Sequence, residues 1–230
     1  KQYIAIITLL LSTILCAQNQ ATEIRAVWLT TNWELDLPSS SKTIEQQKKE
    51  LLASLDELLH MKINTVFFQA RLRGDVFYKS DIEPFSPHYK WEKDFDMLNF
   101  MIEECHKRCI ELHAWFVVYP LGSKKHVQRQ KGSIVNRQPN LCKLYKGEWY
   151  LDPGNPETQK YLLTLVDEII TGYDVDGIHF DYVRYPDEPS KFPDKETFSK
   201  YGKGNSLENW RRNNVTQFVE SAYKLVKSKK

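Results

Sequence analysis

Strand-like and helix-like runs alternate along this chain four times, and that alternation restricts its fold more than any other feature. The runs "EIRAVWLTT" (23–31), "NTVFFQARL" (64–72), "ELHAWFVVYP" (111–120) and "DGIHFDYV" (176–183) are short and rich in β-branched and aromatic residues. The run "TIEQQKKELLASLDELLHM" instead places Ile44, Leu51, Leu55, Leu58 and Leu59 near one helical face. Thr43 with Gln46 three residues on makes a capping box at its start. Asp94 is placed to cap "FDMLNFMIEECHKRC", and Asn155-Pro156 opens "ETQKYLLTLVDEIITGY". A fourth helix is predicted over "SLENWRRNNVTQFVESAYKLVKSKK". Strands separated by single helices predict a parallel sheet with the helices packed outside it.

The links between these runs are unequal. Long segments rich in aromatics and prolines follow the second and third strands, with a small hairpin expected around Lys146-Gly147, whereas helix-to-strand links are short. No glycine-rich phosphate loop follows the first strand, which argues against a dinucleotide-binding fold. Long loops after strands suit an α/β fold of the (β/α)8 TIM-barrel type, which builds its site at the strand C-terminal ends. Four units are half of the eight that such a barrel takes, so residues 18–230 are expected to form its N-terminal part. The first and fourth strands would then be open edges, and a second catalytic acid would lie on a later strand.

Residues 1–17 carry a lysine and then an apolar run too short to cross a bilayer comfortably. This reads as an export signal cleaved after Ala17, which places the mature chain in the periplasm or outside the cell. Cys16 leaves a lipid anchor as the alternative, although Leu15 stands where a small residue is usual in lipoprotein signals. Cys105, Cys109 and Cys142 are too few and too scattered for a disulfide framework or a metal site, and read as buried small residues. A net charge of +2 with interspersed signs gives no nucleic-acid footprint. Nothing in the sequence calls for a cofactor or a metal, and it does not define an oligomeric state.

The stretch "DVDGIHFDYVRYP" (174–186) sets ionisable groups inside an apolar run. Alternation along a strand puts His179, Asp181 and Val183 on one face and Ile178, Phe180 and Tyr182 on the other. In a barrel the second set packs under the helices, and Asp181 points inward near the catalytic end. Asp174 and Asp176 precede the strand and read as turn residues. The other strand ends are polar too: Gln69, Arg71 and Arg73 on the second, Tyr119 on the third, and Thr30 to Glu34, including Trp33, after the first. Hydrogen-bonding groups and aromatics gathered at one face suit a saccharide cleft better than an apolar pocket.

These segments resemble the glycosyl hydrolase-like 10 family of exported bacterial (β/α)-barrel proteins linked to cell-envelope glycans. The resemblance is carried by "EIRAVWLTT", "NTVFFQARLRGDVFY", "LHAWFVVYP", "DPGNPETQKYLLTLVDEII" and "NWRRNNV", and most specifically by "DGIHFDY" with its following "YP". It implies a glycan-cleaving barrel with Asp181 at the active-site end of the fourth strand. It also implies that Gln69, Arg71, His179 and Arg184 line the site. By position, Asp181 is the candidate nucleophile or stabiliser of a developing oxocarbenium charge. Arg71 is placed to keep it ionised or to form a rim ion pair, and His179 either contacts sugar or makes a structural hydrogen bond. Trp33 and Tyr119 stack on sugar or pack internally. Glu34, Asp75 and Asp152 are loop carboxylates without a distinguishing mark.

The leading expectation is therefore a glycoside hydrolase of a bacterial envelope polysaccharide, such as a peptidoglycan-type glycan. A noncatalytic glycan-binding barrel would keep the same rim. A metal-dependent hydrolase would use His179 and Asp181 as ligands, but the remaining histidines lack matching spacing.

Overall fold

The computed structural model describes residues 23–87 and 95–229. The export-signal and Cys16 readings, and the Asp94 cap, lie outside those residues. Four parallel strands, β1 (Ala26–Leu29), β2 (Thr65–Arg71), β3 (Glu111–Val117) and β7 (Gly177–Asp181), form one sheet in that spatial order. Between β3 and β7 the chain adds β4 (Pro120–Ser123), β5 (Cys142–Tyr145) and β6 (Glu148–Leu151), an antiparallel sheet in the order β4-β6-β5. The hairpin expected at Lys146-Gly147 is its β5–β6 turn, where both residues take positive φ (49° and 83°). Its third strand, β4, had no warning in the sequence. Among the described residues the parallel sheet does not close on itself, so β1 and β7 are its edges.

Helix α1 (Ile44–His60) starts with the expected capping box, Thr43 Oγ1 accepting from Gln46 N–H and Gln46 Oε1 from Thr43 N–H. Asp96 caps α2 (Met97–His106) through Asn99 N–H. Cys105 and Cys142 are buried as expected, whereas Cys109, past the helix end at His106, is only partly buried and has φ of 56°. Short helices α3 (Lys124–Arg129) and α4 (Ile134–Arg137) follow β4. Asn155 caps α5 (Pro156–Gly172), with proline at its first position as expected. Helix α6 (Lys195–Tyr201) precedes the long α7 (Leu207–Lys229). No helix among the described residues is long and apolar enough to cross a membrane.

The outer face of the sheet is the core. Val66, Phe68, Leu112, Ala114 and Phe116 are all fully buried beneath the helices. Helix α7 covers β7 through Phe218, whose ring lies 5.4 Å from Phe180 and 6.1 Å from Tyr119. The inner face carries Trp28, Phe67, His113, Trp115 and His179, none of them fully buried. Gly177 belongs to that face for a steric reason: a β-carbon there would come within 2.5 Å of the His113 ring. The long segment after β2 is tied down from behind. Glu168 on α5 accepts from Tyr78 and Ser80 hydroxyls and from Asp81 N–H at 2.7–3.1 Å.

Candidate active site

The C-terminal ends of the parallel strands open into a cavity of about 780 Å³, walled on one side by the inserted sheet. Asp181, the last residue of β7, lines it. Its Oδ2 accepts from Trp115 Nε1–H at 3.0 Å and its Oδ1 from Tyr182 N–H at 2.7 Å. Tyr182 itself takes φ of 49°, a left-handed conformation uncommon outside glycine and asparagine. That turn also ends the strand two residues before the expected boundary. Val183 therefore does not continue the face of His179 and Asp181. Strained backbone of this kind persists where the surrounding structure over-determines it, often at functional sites.

His179 lies one level deeper on the same face, its ring tilted 43° against that of Phe67 with centroids 4.8 Å apart. Trp28 Nε1–H donates to its Nε2 at 3.3 Å, which requires that nitrogen to be unprotonated. Partial burial holds the imidazole below the usual histidine pKa, with Asp181 pulling upward and His113 downward. Gln69 also lines the cavity, but its Oε1 is committed to β1. It accepts from Thr30 Oγ1 (2.8 Å), Thr31 N–H (3.0 Å) and Thr31 Oγ1 (3.1 Å). The side chain thereby fixes where the first strand ends and the Asn32–Glu34 turn begins. Trp33, in that turn, is 74% exposed over the cavity mouth. Arg184 lines the opposite rim, donating to Asp187 Oδ1 at 2.9 Å and lying over the Tyr182 ring.

Two expected members are elsewhere. Arg71 is fully buried on the helix side of the sheet. It binds Glu83 through both carboxylate oxygens (2.6 and 2.7 Å) and donates to the Val117 and Val118 carbonyls. The cause is a register shift between Gln69 and Arg71: Gln69 pairs with Trp115, but Arg71 pairs with Phe116. One extra residue in the bulge reverses the face that simple alternation assigns. Arg71 consequently forms no ion pair with Asp181. Tyr119 is likewise buried, 1% exposed against Phe218, because β3 ends at Val117 and the chain turns into β4. Of the loop carboxylates, Asp75 and Asp152 are buried structural acceptors, Asp75 held by Gln130 and Asp152 by Thr197. Glu34 lines a smaller adjoining cavity of about 200 Å³.

The carboxylates that do share the cavity with Asp181 are Glu148 and Asp187. Glu148 begins β6 and is exposed, with no ion pair among the described residues, whereas Asp187 is taken by Arg184. Tyr150, two residues after Glu148, lines the same wall, and partial burial together with Glu148 and Asp187 raises its pKa. Alternation along the legible hairpin puts Glu148 and Tyr150 on one face. That the hairpin folds over the strand ends is a tertiary fact with no local signature.

Comparison with known proteins agrees with this fold. Residues 23–230 match the glycosyl hydrolase-like 10 family. The chain is 33% identical over 220 residues to "Glycosyl hydrolase YngK" of Bacillus subtilis (strain 168), covering 90% of this chain and 43% of that protein. It is 34% identical over 235 residues to "Glycosyl hydrolase DigH" of Escherichia coli (strain K12), covering 92% of this chain and 54% of that one. It thus spans about half the length of the curated relatives it matches. Among solved structures, the chitobiase of Flavobacterium johnsoniae is similar in fold, with a TM-score of 0.56 at 16% identity over 88% of this chain and 30% of that chain.

Proposed function

Because the chain belongs to the glycosyl hydrolase-like 10 family, we propose that it cleaves glycosidic bonds in a bacterial cell-envelope polysaccharide, such as a peptidoglycan-type glycan. The observation that carries this reading is Asp181, an acceptor-only carboxylate at a strand C-terminal end, aimed by Trp115 and Tyr182 into a cavity large enough for sugar rings. In this reading Asp181 is the nucleophile or the stabiliser of the oxocarbenium-like transition state. Hydrolysis ordinarily needs a second carboxyl group across the scissile bond. Glu148 is our candidate, since it lines the same cavity without an ion partner among the described residues. Trp33 stacks on the sugar, while Gln69 and Arg184 hold the cleft's two rims.

The reading also places further strands against the inner sheet face, where Trp28 is 52% exposed, completing a (β/α)8 barrel. Residues 1–17 direct export in this reading, and exported protein should begin near Gln18 on N-terminal sequencing.

Asp181→Asn tests the central claim. It keeps the size and, through its single amide oxygen, one of the two accepted hydrogen bonds while deleting the charge. We expect turnover of purified glycan strands, followed by release of reducing ends, to fall about a thousandfold or more, on the order of 4 kcal/mol of barrier. Unchanged turnover removes Asp181 from catalysis, and a large fall in melting temperature makes its role structural.

A further inference from the structure

Arg71 is withdrawn from the cavity, yet its hydrogen bonds lead back to it. On the helix side of the sheet its Nε donates to Glu83 Oε2 at 2.6 Å and its Nη2 to Glu83 Oε1 at 2.7 Å. Tyr161 of α5 donates its hydroxyl to that same Oε1 at 2.7 Å, and the guanidinium lies 4.9 Å from the centre of the Phe116 ring. Glu83 is itself fixed in the segment after β2, its N–H donating to Ser80 Oγ at 3.1 Å. A purely structural ion pair would be complete with these contacts. They leave one arm of the fork, Nη1, which donates to the carbonyls of Val117 and, at 3.0 Å, Val118.

Those carbonyls lie where β3 runs out, and both residues are buried. Buried backbone carbonyls need partners, and here the arginine supplies them. The peptide unit joining Val117 to Val118 is shared. Its carbonyl accepts from Arg71, and its N–H donates to the Asp181 carbonyl at 2.9 Å. One peptide group therefore stands between the buried cation and the main chain of the cavity's carboxylate. A charged donor on its oxygen polarises that group and strengthens the bond its N–H makes. Asp181 pairs with Val117 in the sheet, and directly after it Tyr182 turns with φ of 49°. Where the Asp181 carbonyl is held thus decides how its side chain meets Tyr182 N–H (2.7 Å) and Trp115 Nε1–H (3.0 Å).

We infer that Arg71 is a positioning residue for Asp181, acting from the opposite face of the sheet through the Val117–Val118 peptide. The inference rests on the reading of Asp181 as the catalytic carboxylate, and adds to it a residue that never meets the substrate. The bulge between Gln69 and Arg71 puts the cation behind the carboxylate rather than beside it. Misplacing a reacting group by a fraction of its reach lowers the rate more than it lowers binding.

Two variants of the full chain test this. Arg71→Lys keeps a cation near Glu83, but an ammonium lacks the fork that reaches Glu83 and both carbonyls together. Arg71→Met with Glu83→Gln leaves no buried charge and keeps an acceptor for Tyr161. In each, kcat for reducing-end release, measured well below the variant's own melting temperature, should fall about tenfold with KM little changed. The indole N–H resonance of Trp115, identified by its loss in Trp115→Phe, should move toward its position in Asp181→Ala. A merely structural role lowers the melting temperature and moves neither. Parental kcat or a parental Trp115 resonance in a folded variant overturns the proposal. Unfolding of both variants assigns Arg71 to the core alone and overturns it too. The resonance needs no substrate: where it moves but the parent cleaves no glycan, the positioning of Asp181 stands and the glycan-cleaving reading falls.

Discussion

The two faces of the parallel sheet are made from alternate residues of the same four strands, yet their surroundings are opposite. On the outer face Val66, Phe68, Ala114 and Phe116 are each 0% exposed beneath the helices. On the inner face Trp28, Phe67, His113, Trp115 and His179 are open to varying degrees, and indole N–H groups donate to His179 and Asp181. The outer face holds the fold together, and the inner face aims groups at the cavity. A strand can do both because its side chains alternate with a period of two, so stability and chemistry are carried by neighbouring residues. Arg71 and Gln69 show how sharp that division is: one bulged residue moves an arginine from the site into the core.

The largest expected effect lies on the outer face. Phe218→Ala deletes a fully buried ring against Phe180 and Tyr119, and should cost about 3–5 kcal/mol in urea unfolding. Trp28→Ala, on the inner face, should cost less than about 1 kcal/mol if that face is open, since the residue is 52% exposed. A loss at Trp28 as large as that at Phe218 would break the comparison. It would mean that Trp28 is packed as firmly as the core despite its 52% exposure.

Much of this division was legible in the amino-acid sequence. The capping box at Thr43, the Asn155-Pro156 helix start and the placement of Asp181 at a strand end follow from local chemistry, which the fold leaves undisturbed. Arg71 and Tyr119 were misplaced because alternation was carried through a bulge and past a strand end. Ala70 at the bulge gives no glycine or proline signal, and Pro120 comes only after β3 has already ended at Val117. The positions of Trp115, Glu148 and Arg73 around the cavity depend on how the inserted sheet and the turn after β1 meet over the strand ends. Those are contacts between distant segments, and no periodicity encodes them.

Trp115→Phe probes a smaller, directional effect. The ring is kept on the inner face, but Asp181 Oδ2 loses its 3.0 Å donor. A charge-assisted hydrogen bond of this kind is worth about 1.5–3 kcal/mol, so kcat should fall about tenfold or more while KM and the melting temperature change little. Trp115 would then be a positioning residue acting through Asp181. A rise in KM with kcat unchanged would make it a sugar contact instead.

The smallest effect concerns pH and His179. Its folded-state pKa lies below the ordinary value, chiefly through partial burial, and Asp181 and His113 oppose each other around it. The unfolded histidine titrates near about 6.5. Between the two values the unfolded chain binds more protons, so stability rises with pH across that window. The contribution is complete above about pH 6.5 and is lost as pH falls through the folded pKa. Structurally, a proton on Nε2 would abolish the bond from Trp28 and bring a charge against Phe67 and Trp115, with Asp181 as the compensating anion among the described residues. His179→Gln should therefore flatten the dependence of the urea midpoint between about pH 5 and 7 relative to the parent. An identical slope in both proteins would assign the dependence to another group. A slope steeper in the variant would mean that Asp181 outweighs burial and that His179 is charged in the folded site, which would turn the inner face from a neutral floor into a second cation beneath the substrate.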